Sequence, residues 1–137
     1  MYQQRLGQTN CYIRCAYDPY SSLNLRNRGD IKRVIIQLLG AGTFKNALDK
    51  NKIPYNTSFS GVYPFSNSQK YEKIFPQFLT QIKDGGIIMC HPGYNTQLDF
   101  DPIAMSRFDE FHYLNSAQFL LDCKEHNVAV NRFKKNQ

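Results

Sequence analysis

Residues 85–94 read GGIIMCHPGY. Four apolar residues, Ile87 to Cys90, stand between a glycine pair and a His-Pro-Gly turn. A run that short, bounded by turn residues, suits a strand better than a helix. It is apolar at every position, so both of its faces need cover. Strands of that kind belong to parallel sheets with helices packed on them. Parallel strands need long crossover connections, usually helices. The feature therefore constrains the chain to α/β layering and puts His91 at the carboxyl end of a central strand.

The remaining segments fit that layering. Residues 11–17, CYIRCAY, alternate weakly and predict a short strand with Arg14 inside it. Ile31, Val34, Ile35, Leu38 and Leu39 form one apolar helical face, with Asp30 placed to cap it. Gly40 and Gly42 loosen the pattern, and a second helical piece follows from Thr43 to Lys50. Residues 53–65, IPYNTSFSGVYPF, read as loop with at most a short strand. Asn67 or Ser68 can cap a helix running to about Asp84, with Tyr71, Ile74, Phe75, Phe78, Leu79 and Ile82 on its inner face. Pro76 should kink or end that helix unless the helix starts near it. A polar loop, residues 95–101, leads to a helix opened by Pro102 that carries Phe108, Phe111 and His112. Another helix spans about Ser116 to His126, with Phe119, Leu120 and Cys123 inside, and Val128 to Val130 read as a last strand.

Composition narrows the function classes. A chain of 137 residues with 42% hydrophobic and 20% charged residues is globular and long enough for one cored domain. The net charge is +6, yet only Arg132, Lys134 and Lys135 cluster locally. Nucleic-acid binders concentrate charge on one face or element, so no nucleic-acid partner is expected. Nine Tyr and ten Phe suit a groove for flat ligands such as sugars, although core Phe and half-exposed Tyr are the simpler reading. Cys11, Cys15, Cys90 and Cys123 form no CxxC pair, so buried reduced thiols are expected rather than a zinc site. The start MYQQRLGQTN lacks a basic and then apolar pattern, and no stretch approaches the roughly 20 apolar residues of a membrane span. The expectation is a cytoplasmic protein without a membrane partner.

Functional groups in α/β folds stand just past the carboxyl ends of strands. Pro92 favours an extended conformation at His91, and Gly93 permits a tight turn or the close approach of a ligand. His91 is then either a functional group or a histidine hydrogen-bonded within a turn. Cys90 points to the opposite face and reads as core, so it is no nucleophile for His91. His112 and His126 read as surface or half-buried helix residues. A metal site from His91, Asp99 and Asp101 is a weak alternative. Arg107 and Glu110 share a helix face, where they can pair with each other or anchor the His91 loop. An inward Arg14 would require a carboxylate or a polar ligand. Gly40-Ala41-Gly42 is too short for a phosphate loop.

Four stretches together, YIR at 12–14, FSGVYPF at 59–65, GGIIMCHPGY at 85–94 and RFDEFHYLNS at 107–116, resemble the carboxyl-terminal half of YdjC-like proteins, the ChbG/HpnK-type carbohydrate deacetylases. The matching residues are Tyr12, Ile13 and Arg14, then His91, Pro92 and Gly93, then Arg107, Glu110, Leu114 and Ser116. The resemblance covers about residues 11–133. It implies the α/β class and, more finely, the carboxyl-terminal part of a distorted (β/α) barrel with mainly parallel strands. It also implies hydrolysis of the acetamide of N-acetylated sugars by water activated on a divalent metal, Mg²⁺ or Zn²⁺. His91 becomes a general acid or substrate contact, with Arg14, Pro92, Gly93, Arg107 and Glu110 supporting the site. The family's amino-terminal half carries an Asp-Asp strand and two His motifs that supply metal ligands and base. This chain has no Asp-Asp pair and no His before His91. The expectation is therefore a truncated or split homologue, binding no metal and inactive alone. The alternatives are a sugar-binding or assembly module and an enzyme completed in trans, through an amino-terminal partner chain or a homo-oligomer.

Overall fold

The computed structural model describes residues 12–17, 40–65, 70–94 and 101–132. Its elements there are α1 (Gly42–Lys50), β1 (Phe59–Ser60), α2 (Tyr71–Gln81), β2 (Ile87–Ile88), α3 (Ala104–Leu114) and α4 (Ala117–Glu125). The helix predicted over Ile31 to Leu39 with its cap Asp30 lies outside the described residues, as do Cys11, Asn67, Ser68 and Asp99. The class is mixed α/β with a parallel two-stranded sheet, β1 beside β2.

Phe59 pairs with Ile87 and Ser60 with Ile88. One residue group upstream, Ile13 forms a parallel bridge with Tyr55. Asn56 makes this contact more than a single bridge. It is buried, and its side-chain amide accepts from the Cys15 N–H at 2.8 Å while donating to the Cys15 carbonyl at 2.9 Å. A side chain thus does the work of a ladder residue. The strand predicted at 11–17 survives in this reduced form, with Cys15 buried and Arg14 exposed.

The close approach of β1 and β2 depends on two glycines. Gly61 has φ +97°, and a Cβ there would sit 2.2 Å from the Met89 carbonyl oxygen. A Cβ on Gly86 would meet Ser58 Oγ at 2.3 Å. Only a residue without a side chain tolerates either approach. The strand predicted over Ile87–Cys90 is shortened to Ile87–Ile88, and Cys90 is exposed rather than core.

α2 carries the core. Tyr71, Ile74, Phe75, Phe78 and Leu79 are buried, as the apolar spacing predicts, and they pack with Tyr63, Tyr113 and Cys123. Phe75 sits amid the rings, its centroid 5.6 Å from Tyr71, 5.2 Å from Tyr113 and 5.6 Å from Phe119. Pro76 lies inside α2 and does not end it. An interior proline costs about 3 kcal/mol, whereas each buried large side chain contributes about 1.5–3 kcal/mol. Buried residues on both sides of Pro76 therefore hold the helix together across it.

Ser116 links α3 to α4. Its hydroxyl accepts from the Phe119 N–H and donates to the Tyr113 carbonyl, which caps α4 and closes the turn. α4 ends through a left-handed Asn127, φ 54°, with Val128 N–H returning to the Cys123 carbonyl at 2.8 Å. This ending uses the Val128 donor, and Val128–Val130 form no strand, contrary to the apolar reading. Val130 is 77% exposed. Leu120, read as internal, is also exposed, because α4 turns Asp122 and Cys123 inward instead.

α1 ends in the same way at Lys52, φ 51°, where a side chain is strained and glycine is not. Lys52→Gly should raise stability by a few tenths to about 1 kcal/mol, and Gly61→Ala should lower it by more than about 1 kcal/mol. Denaturation midpoints measure both, and a Gly61→Ala protein as stable as the parent contradicts the β1–β2 contact described.

Candidate functional site

The carboxyl ends of the two strands lead directly into the residues of interest. β1 continues through Gly61 and Val62 to Tyr63, and β2 continues through Met89 and Cys90 to His91. α3 brings Arg107 and Glu110 against both.

Glu110 is at the centre of the contact and is 0% exposed. Tyr63 Oη donates to its Oε1 at 2.6 Å. The His91 backbone N–H donates to its Oε2. His91 Nδ1 lies 4.0 Å from Oε1. An unpaired buried carboxylate would be costly to desolvate, so these donors are a condition of its burial. One charged side chain thereby ties the tips of β1 and β2 to α3.

Arg107 secures the same turn from one helical step away. Its guanidinium donates to the His91 carbonyl at 3.3 Å, and its own carbonyl accepts from the Gly93 N–H at 3.1 Å. Arg107 Nε stands 2.6 Å from Asp101 Oδ2. Gly93 packs on the Arg107 stem, where a Cβ would meet its Cβ at 3.3 Å. Of the two options that the helix spacing leaves open, Arg107 and Glu110 anchor the His-Pro-Gly loop rather than pairing with each other. The close approach that Gly93 permits is that of Arg107.

The His91 side chain is 29% exposed, and its ring meets the Phe65 ring edge-on at 5.4 Å. Pro92 is exposed beside it. Arg14 is exposed and takes no part in the bonds around Glu110. His112 is exposed and His126 half-buried, as read from their helices. Among the described residues no cluster of three or more His, Cys, Asp or Glu side chains is arranged to hold a metal. No described helix is long and apolar enough to cross a membrane.

A separate cavity of about 500 Å³ lies beside β2, walled by Phe75, Leu79, Ile88, Cys90, Phe119 and Val128, with Asp84, Asn131 and Arg132 also in its lining. His91 is not part of its lining. Desolvation there, with Glu110 nearby, pushes the Cys90 thiol up and keeps it protonated.

Comparison of the chain with protein-family models, with curated proteins and with solved structures returns no match.

The sequence reading missed Tyr63 and Asp101 as partners. Tyr63 lies in the quoted FSGVYPF stretch, but nothing local distinguishes a tyrosine that reaches a buried carboxylate from one that packs. Burial, then the bond to Glu110, pushes the Tyr63 phenol well above its ordinary range. Tyr71 is raised chiefly by burial, and Tyr113 by burial and then Asp122. Each native value lies above the unfolded one near 10, so the folded protein holds these protons more tightly. Their contribution is complete below about pH 10 and is lost as pH rises through the native values. Absorbance titration should leave at least Tyr63, Tyr71 and Tyr113 un-ionised until alkaline unfolding releases them. Nine tyrosines ionising together in the folded protein would contradict the burial described.

Proposed function

We propose that the chain is a partial homologue of the YdjC-like carbohydrate deacetylases, corresponding to their carboxyl-terminal half and inactive by itself. One observation carries this reading. The two motifs that the resemblance couples, His91-Pro92-Gly93 and Arg107-x-x-Glu110, are bonded to each other around a buried carboxylate. The order of the parallel contacts, Ile13 with Tyr55 and then β1 with β2, follows the chain order. Sequential parallel order supports the finer reading of a sector of a distorted (β/α) barrel.

On this reading the ligand is an N-acetylated sugar and His91 is its general acid or a direct contact. Tyr63, Arg107 and Glu110 hold the turn, while the exposed Arg14 supports the site only if the ligand reaches it. The described residues do not fit a metal centre, and no catalytic step through a metal is derived for this chain. In the family the metal supplies an activated water; the described residues offer no ligand set for Mg²⁺ or Zn²⁺. The place of action is the cytoplasm.

A second reading, completion in trans, is favoured by the sheet. Among the described residues β2 pairs only with β1, and Ile87 and Ile88 also line the cavity together with Phe75, Leu79 and Phe119. A strand unpaired on one side among the described residues, beside partly apolar cavity walls, suits assembly through a partner chain or a second copy.

The purified chain mixed with Zn²⁺ or Mg²⁺ should show neither stoichiometric metal binding nor acetate release from N-acetylated chitooligosaccharide. Turnover by the chain alone would sink the proposal of half a site. Co-expression with a polypeptide carrying an Asp-Asp strand and the two His motifs should restore acetate release, and His91→Gln should abolish it. Restored activity that is indifferent to His91→Gln would remove His91 from the site.

A further inference from the structure

The Nδ1 of His91 is buried and has no hydrogen-bond partner. The carboxylate oxygen facing it is Glu110 Oε1, at 4.0 Å. The same carboxylate is bonded to the backbone N–H of His91 itself, so ring and carboxylate are held together by one residue. Tyr63 fixes the carboxylate from the opposite strand tip, and Phe65 fixes the ring from its edge.

We propose that Glu110 and His91 form a carboxylate–imidazole dyad in which Glu110 is a positioning residue. It keeps a proton on Nδ1 and leaves Nε2 as the nitrogen that exchanges protons with a polar ligand at the carboxyl ends of β1 and β2. A lone pair on Nδ1 aimed at a buried carboxylate is repelled, whereas an N–H in that place is attracted. At 4.0 Å the pair is in electrostatic contact but not hydrogen-bonded, and a small rotation of the ring would close the gap, as catalytic contacts commonly tighten when a ligand arrives.

The other charged and titratable groups around the ring do not reverse this preference. Arg107 reaches the His91 carbonyl, and its charge is matched by Asp101. Tyr63 and Cys90 are both held neutral by desolvation and Glu110. Asp109, on the exposed side of α3, adds negative charge and acts in the same sense as Glu110. The neutral ring accepts a proton at Nε2 from a ligand O–H or N–H, and Glu110 stabilises the imidazolium formed. The ring returns that proton from the same nitrogen, and the Nδ1 proton stays in place throughout. The dyad stands whether or not the ligand is an acetylated sugar.

The test is the tautomer of His91, read from long-range nitrogen–proton correlation spectra at about pH 8.5, above the ordinary imidazole range. The protein contains its own references. His126 Nδ1 faces the Asp122 carbonyl at 2.9 Å and must donate, while His112 is exposed, with its ring beside Phe108, and has no carboxylate partner among the bonds described. His112→Gln and His126→Gln variants assign the signals. The expected spectrum has two histidines with the proton on Nδ1, His91 and His126. In Glu110→Gln the His91 signal should move toward the Nε2-protonated form while His126 stays unchanged. A parent protein with its His91 proton on Nε2 overturns the proposal even if Glu110→Gln fails to fold. A folded Glu110→Gln protein whose His91 tautomer is unchanged overturns it as well. Neither result bears on acetate release, so failure of the dyad and failure of the deacetylase reading are separable.

Discussion

The burial of the Glu110 carboxylate is the constraint on which the rest of this structure turns. A carboxylate at 0% exposure needs donors, and each donor comes from a different element. Tyr63 arrives from the end of β1 and the His91 amide from the end of β2. Removing any one of these leaves a buried acceptor short of a partner, which typically costs about 1–3 kcal/mol, and more when a charge is involved. The sheet ends and α3 are thus coupled through one side chain. The His-Pro-Gly turn is in this position because the carboxylate requires it there.

Around that polar centre the packing is aromatic. Tyr63, Tyr71, Phe75, Phe78, Tyr113 and Phe119 form a continuous set of tilted and edge-on contacts between α2, α3 and α4. Such rings contribute by their area and by edge-to-face electrostatics. They also exclude water from the neighbourhood of Glu110, which strengthens its hydrogen bonds and raises the penalty for breaking them. The hydroxyls of Tyr63 and Tyr113 each end on a buried acid, Glu110 and Asp122, so the aromatic core and the acidic groups depend on one another.

Much of the local structure was legible from spacing. The apolar stripe of α2, the start of α4 near Ser116 and the glycine-bounded strand at Ile87 all follow from short-range rules of backbone and burial. The failures share a cause. Leu120, Cys90 and Val130 are apolar, and apolar residues are expected inside, but a helix or strand shows its core-facing side only after its neighbours are placed. Val128–Val130 has strand composition, yet its first donor is used by the end of α4 and no ladder forms. Pro76 has the composition of a break, yet the buried residues on both sides outweigh its missing hydrogen bond.

The sequence by itself determined the α/β class, the place of His91 just past the carboxyl end of a strand, and the common helix face of Arg107 and Glu110. These depend on periods of two and 3.6 residues and on the fixed chemistry of proline and glycine. Only the tertiary structure decided that Glu110 turns to His91 and Tyr63 rather than to Arg107, and that Asp101 takes Arg107. The Tyr63–Glu110 bond spans 47 residues of chain. No local pattern records which of several tyrosines will be brought to a given carboxylate, because that choice is made by how the layers pack.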